Sequence, residues 1–325
     1  MWFNNFFDKI LFMKKIAIVR LSALGDIINT TVVLQFIKKK YPYIKIDWIC
    51  EEAFAPIISD HPLIHRVHTI SLKRLKKEKS ISYLIETISK LRNLGEFDLI
   101  IDMQGLIKSA VVARFIGKNV FGYDKNSVRE KLASLFYKNT TSMDYGENVI
   151  KRNINLISKA LNIDITDRDI LNKEPSLPSH KLHSNQIVFV IGASWESKKY
   201  PRDSFVQLAN LLKEKILILW GDESEFQDAL YIAEHSKYVH ISEKFSLLEL
   251  RDVIACAKIV IGNDTGPTHL AWALNVPSVT LFGPTNERMI YETAINCAIH
   301  SPSSVDIYHI DKKDFSIKEM IHTYN

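Results

Sequence analysis

The chain has 325 residues, 46% hydrophobic and 24% charged, with a formal net charge of +5. That length holds two domains of ordinary size, and the composition is that of a globular protein without low-complexity or repeat segments. So mild a basic excess lacks the concentrated positive charge of a nucleic-acid binder and suits an anionic small molecule or an anionic membrane surface. The cysteines Cys50, Cys256 and Cys297 form no CxxC and no His/Cys cluster with ligand spacing, which argues for reduced thiols, a cytosolic setting and no structural zinc.

Residues 1–12, MWFNNFFDKILF, are apolar and aromatic but too short to span a bilayer. They read as an extension ahead of Met13 or as an interfacial anchor carrying Trp2, Phe3, Phe6, Phe7, Ile10 and Leu11. A buried strand follows at 15–19 (KIAIV). The glycine loop LSALGD comes next, then an amphipathic helix at about 27–39 ending in Lys38, Lys39 and Lys40. Strands are expected at 44–50, 97–104 and 120–124, with further helices at about 82–93 and 105–115. The pattern repeats after a Pro/Ser/His-rich seam at 171–186. Strands lie at 187–192, 216–221, 259–263 and 277–285. A helix starts near Arg202, another covers EFQDALYIAEH, a third is opened by the Ser246/Glu249 capping box, and THLAWAL forms a fourth. Strand–helix alternation implies parallel sheets covered on both faces, and open sheets of this kind take ligands beyond the carboxyl ends of their strands.

Several loops at those ends carry chemistry. In NDTGPTHL (263–270), Gly266 permits a tight turn, while Thr265, Thr268 and the helix-start N–H groups suit a phosphate. Asp264 suits a sugar hydroxyl or a donor within the loop, and His269 lies one turn into the helix. The plainer alternative is a strand–turn–helix junction with an Asp cap and a core histidine. Asp26 is either a helix-start carboxylate or a reactive one. GASWESKKYP (192–201) offers Ser194, Lys198 and Lys199 to an anion, with Lys199 the more solvated lysine; WGDESE (220–225) offers Glu225 to a ribose. The basic stretches 72–79 and 125–131, with Arg152, suit an acidic ligand or are solvated charge. GxGxxG, P-loop, GxSxG and HExxH motifs are absent, which argues against dehydrogenase, kinase, hydrolase and zincin chemistry.

Together these features resemble glycosyltransferase family 9, the lipopolysaccharide heptosyltransferases, from about Lys14 to beyond Pro284. The three matching motifs are Gly25-Asp26, Lys198-Lys199-Tyr200-Pro201 and Asp264-Thr265-Gly266-Pro267-Thr268-His269. The stretches 47–57, 102–110 and 129–137 are most similar to members that add the first inner-core heptose. The resemblance implies a GT-B fold, two doubly wound Rossmann-like α/β domains facing a central cleft. Residues 13–175 would bind the acceptor and 180–310 the nucleotide sugar, with a helix at about 314–325 packing back on the first domain. It implies an inverting transfer of L-glycero-D-manno-heptose from ADP-heptose to Kdo-lipid A, with no cofactor, no metal and no nucleic acid, by a cytoplasmic enzyme peripheral to the anionic inner membrane.

The resemblance also assigns roles. Asp26 would be the general base, with Asp102 the next carboxylate to consider. Lys198 and Ser194 would hold the donor phosphates and Glu225 the ribose, and Phe245 would line the adenine pocket. Asp264, Thr265, Gly266, Thr268 and His269 would hold heptose and pyrophosphate. Lys73, Lys77, Arg129 and Arg152 would meet the acceptor. Lys73 stands where arginine is expected and Ala193 where a hydroxyl is expected; a lysine lacks the planar fork that suits carboxylates. Rival readings are a nucleotide-sugar epimerase, for which no carboxylate cluster is visible, a non-catalytic nucleotide-sugar-binding protein, and a transferase acting on a later inner-core heptose.

Overall fold

The computed structural model describes residues 13–180, 185–283, 285 and 287–300. The expected extension at 1–12 and helix at about 314–325 lie outside these. The chain divides between Pro178 and Ser179 into two compact units.

In the first unit the elements run β1 (Lys15–Val19), α1 (Leu24–Lys40), β2 (Lys45–Glu51), β3 (Arg66–Ile70), α2 (Leu72–Glu78), α3 (Ile81–Arg92), β4 (Leu99–Asp102), α4 (Ile107–Ile116), β5 (Val120–Tyr123), β6 (Asn139–Thr141), α5 (Val149–Leu161) and α6 (Asp167–Leu171). Every strand pairing is parallel, in the order β3-β2-β1-β4-β5-β6. Both faces of the central strands are covered, so they are apolar along their length rather than alternating: Ile16 to Val19 and Leu99 to Ile101 are all buried.

The expectation that α1 is amphipathic fails. Ile27 to Leu34, Phe36 and Ile37 are all buried, so the helix is enclosed along its middle turns, with its first turn half-buried and its lysine-rich end exposed. Helix α5 covers it, and Asn153 Nδ2 donates to the Asn29 carbonyl at 3.2 Å. Lys38, Lys39 and Lys40 end α1, where cations complement the helix dipole.

The second unit runs β7 (Ile187–Val190), α7 (Arg202–Leu212), β8 (Ile216–Leu219), α8 (Glu223–His235), β9 (Val239–Ile241), α9 (Leu247–Ala255), β10 (Ile259–Asn263), α10 (Gly266–Ala273), β11 (Ser278–Phe282) and β12 (Asn296–His300). Its order is β12-β11-β10-β7-β8-β9, again parallel throughout. Counted from each unit's own first strand, the two sheets share one topology, 3-2-1-4-5-6. Phe189 and Phe205 meet as tilted rings with centroids 5.2 Å apart in the core of this unit, tying β7 to α7. The Ser246/Glu249 capping box forms as expected, with Glu249 N–H to Ser246 Oγ at 3.4 Å and Ser246 N–H to Glu249 Oε2 at 2.8 Å.

Candidate active site

The order 3-2-1-4-5-6 reverses direction between its strands 1 and 4, and the connections leaving those two strands diverge to opposite faces. The crevice this opens at the carboxyl ends is where doubly wound sheets take ligands. In the first unit the crevice lies between β1 and β4, in the second between β7 and β10. Motif residues cluster at both.

Beyond β1 the chain turns through Arg20–Ala23 into α1, and Asp26 is the third residue of that helix, in its first turn as expected of a helix-start carboxylate. Its carboxylate is fixed twice. Oδ2 accepts from Ala23 N–H at 3.1 Å, and Oδ1 pairs with Arg20 Nη2 at 2.6 Å. Asp26 keeps 30% of its side chain exposed, whereas Arg20 keeps 8%. Arg20 also donates to the Met103 carbonyl beyond β4, so it bridges the two strand ends of the crevice. Sequence reasoning missed Arg20; the available signal was a charge directly after an apolar strand.

Asp102 is no alternative base. It is 1% exposed and its oxygens accept from Ser109 Oγ at 2.9 Å, Tyr137 Oη at 2.7 Å and the N–H groups of Gln104 and Gly105. Burial raises its pKa, against the opposing pull of these donors. Its role is to shape the loop between β4 and α4.

Of the cations expected to meet an acceptor, Lys73 and Lys77 on α2 and Arg129 in the loop after β5 are exposed. Arg152 is not available in the way expected. It is 8% exposed, and its guanidinium donates to the carbonyls of Met143, Asp144 and Ser127 while lying 4.3 Å from the Tyr123 ring centroid. It braces the loops between β5 and α5 from beneath.

In the second unit, Lys198 comes from the loop after β7 and Asp264 from the loop after β10. Lys198 Nζ sits 2.6 Å from Asp264 Oδ2, and the two side chains are 12% and 4% exposed. Thr285 Oγ1 donates to the same oxygen at 2.8 Å, and His269 Nε2 lies 3.1 Å from Oδ1. Burial pushes the Asp264 pKa up, but the His269 hydrogen bond and the Lys198 charge together outweigh it and hold the carboxyl well below the usual range. Asp264 is thus an anion that aims Lys198. An ammonium has three donors, and one directed at Asp264 leaves two for an anionic ligand.

Gly266 is the first residue of α10, with Pro267 behind it, so its N–H has no carbonyl within the helix to bond and the dipole favours an anion there. Thr265 is partly exposed at the N-cap. The Thr268 hydroxyl does not fit the phosphate role, because it is buried and donates to the Asn263 carbonyl at 2.7 Å. Lys199 also departs from expectation. Its side chain is only 13% exposed and pairs with Glu196 at 2.7 Å.

Glu225, at the third position of α8, accepts from Gly221 N–H at 2.6 Å through Oε2. Its Oε1 lies so close over Gly192 that a Cβ there would come within 2.1 Å, so a side chain at that position would push the carboxylate from this place. Burial raises the Glu225 pKa. Ser194 is exposed and Phe245 half-buried, just before the cap of α9. Asn263, missed in the sequence, is fully buried and links both loops, donating to the Ile191 carbonyl at 2.6 Å and accepting from Tyr200 N–H at 2.9 Å. Among the described residues no group of three or more His, Cys, Asp or Glu side chains forms a metal cluster.

Two doubly wound sheets with motif loops at both switch points are the architecture of the GT-B glycosyltransferases, and the solved structures the chain resembles place it in that class. The chain aligns with E. coli heptosyltransferase WaaC with ADP at a TM-score of 0.78 and 30% identity, covering 89% of this chain and 93% of that one. The same E. coli enzyme with ADP-2-deoxy-2-fluoro heptose aligns at a TM-score of 0.76 and 29% identity, with the same coverage. Lipopolysaccharide heptosyltransferase 1 of Campylobacter coli is 39% identical over 327 residues, covering 93% of this chain and 94% of the relative. The profile of glycosyltransferase family 9 (heptosyltransferase) matches residues 86–308, and the chain belongs to that family.

Proposed function

We propose that this chain transfers L-glycero-D-manno-heptose from ADP-heptose to the Kdo of Kdo-lipid A, adding the first heptose of the lipopolysaccharide inner core. The observation that carries this reading is near full-length identity of 39% with a heptosyltransferase 1, joined to a buried Lys198–Asp264–His269 cluster at the second switch point. A relative named lipopolysaccharide heptosyltransferase 3, from E. coli, is more distant, at 24% identity.

The chemistry is a single displacement. The acceptor oxygen bonds to the anomeric carbon as the bond from that carbon to the β-phosphate oxygen breaks, so configuration inverts. Asp26 takes the hydroxyl proton. ADP departs with the electron pair, and its growing charge meets Lys198 and the Gly266 N–H. Glu225 accepts from the ribose, Phe245 packs on the adenine, and Lys73, Lys77 and Arg129 face the acidic acceptor. Lys198 supplies the charge that a metal ion would supply in a metal-dependent transferase. No helix of the described residues is long and apolar enough to cross a membrane.

Incubation with ADP-heptose and Kdo-lipid A should add the mass of one heptose, with an inverted anomeric linkage by NMR and with activity retained in EDTA. Transfer only to an already heptosylated core would overturn the assigned acceptor. Loss in EDTA that magnesium restores would overturn the metal-free mechanism.

A further inference from the structure

We propose that helices α2 and α3 of the first unit form the surface by which this protein docks on an anionic lipid bilayer. Two independent features of the segment Leu72–Arg92 meet there. The first is charge. The segment carries seven basic side chains (Lys73, Arg74, Lys76, Lys77, Lys79, Lys90 and Arg92) against Glu78 and Glu86, a net +5 that equals the formal net charge of the whole chain. The rest of the molecule is therefore balanced, and the excess sits in 21 residues. Helix α2 has no buried residue, and Lys73, Arg74, Lys76, Lys77 and Lys79 are all exposed.

The second feature is an apolar stripe. Tyr83, Thr87 and Leu91 are spaced along α3 at the helical repeat, with Thr87 and Leu91 buried as its core side. Roughly a quarter to a third of a turn further round, at 3.6 residues per turn, Ile81, Leu84, Ile85 and Ile88 form another stripe. Ile81 is 74% exposed, Leu84 45% and Ile85 62%. A soluble helix face has no reason to present three branched aliphatic side chains at i, i+3 and i+4 to water, and such a patch marks an interaction surface.

The two features are locked together. Ser80 caps α3 by accepting from Tyr83 N–H, Lys79 closes α2 in a left-handed turn, and the Arg74 guanidinium lies 4.4 Å from the Tyr83 ring centroid. At the other end, Lys90 Nζ donates to the Thr69 carbonyl at 3.0 Å, which ties α3 to the end of β3. A row of cations beside an apolar ridge is what a negatively charged headgroup layer recognises, with the aliphatic side chains entering the acyl boundary and lysine stems lying along it. An acidic protein would match the charge but not so exposed and regular an aliphatic ridge. The inference does not depend on heptose transfer, since docking is measured with neither donor nor acceptor present.

The test is co-sedimentation of the full chain with phosphatidylcholine vesicles and with vesicles of phosphatidylcholine mixed with phosphatidylglycerol. The wild type should pellet with the mixed vesicles and not with the neutral ones, and raised salt should weaken the binding. Lys76→Gln/Lys79→Gln should lower the partition constant about thirtyfold, at roughly 1 kcal/mol per basic residue near the surface. Ile81→Gln/Leu84→Gln/Ile85→Gln should lower it about tenfold or more. Ile85→Trp, which places a larger interfacial side chain at an exposed position, should tighten it, so the proposal stays testable even if a loss variant folds poorly. The proposal is overturned if the wild type ignores anionic vesicles, if it self-associates through α3 instead, or if Phe6→Ser/Phe7→Ser abolishes binding that the α2 and α3 variants leave intact.

Discussion

Replacing Asp264 by asparagine keeps the shape of the second switch point and removes its central charge. Lys198 would then keep an ammonium that is 12% exposed with no anion 2.6 Å away. Breaking a buried pair by removing one partner costs about 3–5 kcal/mol, because the remaining charge stays desolvated. The second unit spans Ser179–Asn325, and for a unit of that size each kcal/mol lowers the midpoint by about 2–4 °C. Asp264→Asn should therefore lower the melting midpoint of that unit by about 6–20 °C. Lys198→Met/Asp264→Asn should recover much of this, since no unpaired charge is left. Hydrogen exchange at the β7 amides Val188–Val190 confines the readout to the right unit. The pH dependence has a definite sign. The folded-state pKa of Asp264 is depressed, so its contribution is fully present above the unfolded value of about 3.9 and is lost as pH falls through the folded value. The gap between wild type and Asp264→Asn should close in acid. A single variant within about 1 kcal/mol of wild type at neutral pH, or a double variant with merely additive loss, would refute this account.

Asp26→Asn should lower turnover by about 10²–10⁴-fold while ADP binding measured by calorimetry is retained, and it should cost about 1–3 kcal/mol because the bond from the Arg20 guanidinium weakens; near-normal transfer would remove Asp26 from the chemistry. Arg152→Met should act on stability, by about 2–4 kcal/mol in urea unfolding, because three carbonyls lose their donors. A raised acceptor KM with unchanged stability would instead restore Arg152 to the acceptor site. Burial pushes the Lys173 pKa down to about 7, so between there and the unfolded value of about 10.4 the unfolded chain binds a proton that the folded chain lacks. Wild-type stability should rise by about 3–5 kcal/mol across that window relative to Lys173→Met, and parallel pH profiles for the two proteins would contradict it.

The apolar runs KIAIV, LIID, IVFV, ILIL and IVIGN were legible as strands because buried parallel strands are hydrophobic on both faces. Edge strands were not. RVHTI mixes polar with apolar side chains and NTT is polar throughout; both are largely half-exposed and carry no apolar run to detect. Helix α5 went unpredicted although its apolar side is well defined, since Asn148 caps it by accepting from Ile150 and Lys151, a signal easily taken for another polar loop residue. At the site, the motifs located the loops but not the use of each side chain. Arg152 and Thr268 have the right chemistry for ligands, yet backbone carbonyls take their donors. Arg20 and Asn263 look ordinary in sequence and connect the loops, because their partners Met103, Ile191 and Tyr200 are 63 to 83 residues away in the chain.

Each switch point joins a carboxylate to a cation from its own unit, arranged with opposite consequences. In the first unit the cation is the more buried partner. Arg20 is anchored to the Met103 carbonyl, and it holds out a carboxylate that remains 30% exposed. In the second unit the carboxylate is the more buried partner, anchored by His269 and Thr285, and it holds a lysine at the crevice. An arginine suits the first task because its several donors can brace a backbone carbonyl and still pair with a carboxylate. A lysine suits the second because a point charge with three rotatable donors can stay on its anchor and still follow a leaving group. The same topology thus holds a partly exposed carboxylate at one crevice and a tethered cation at the other, the groups to which the displacement proposed above assigns the proton and the leaving diphosphate. Exchanging the cation types, Arg20→Lys and Lys198→Arg, should damage each unit for a different reason: the first by releasing Asp26 from its place, the second by crowding a guanidinium against Asp264.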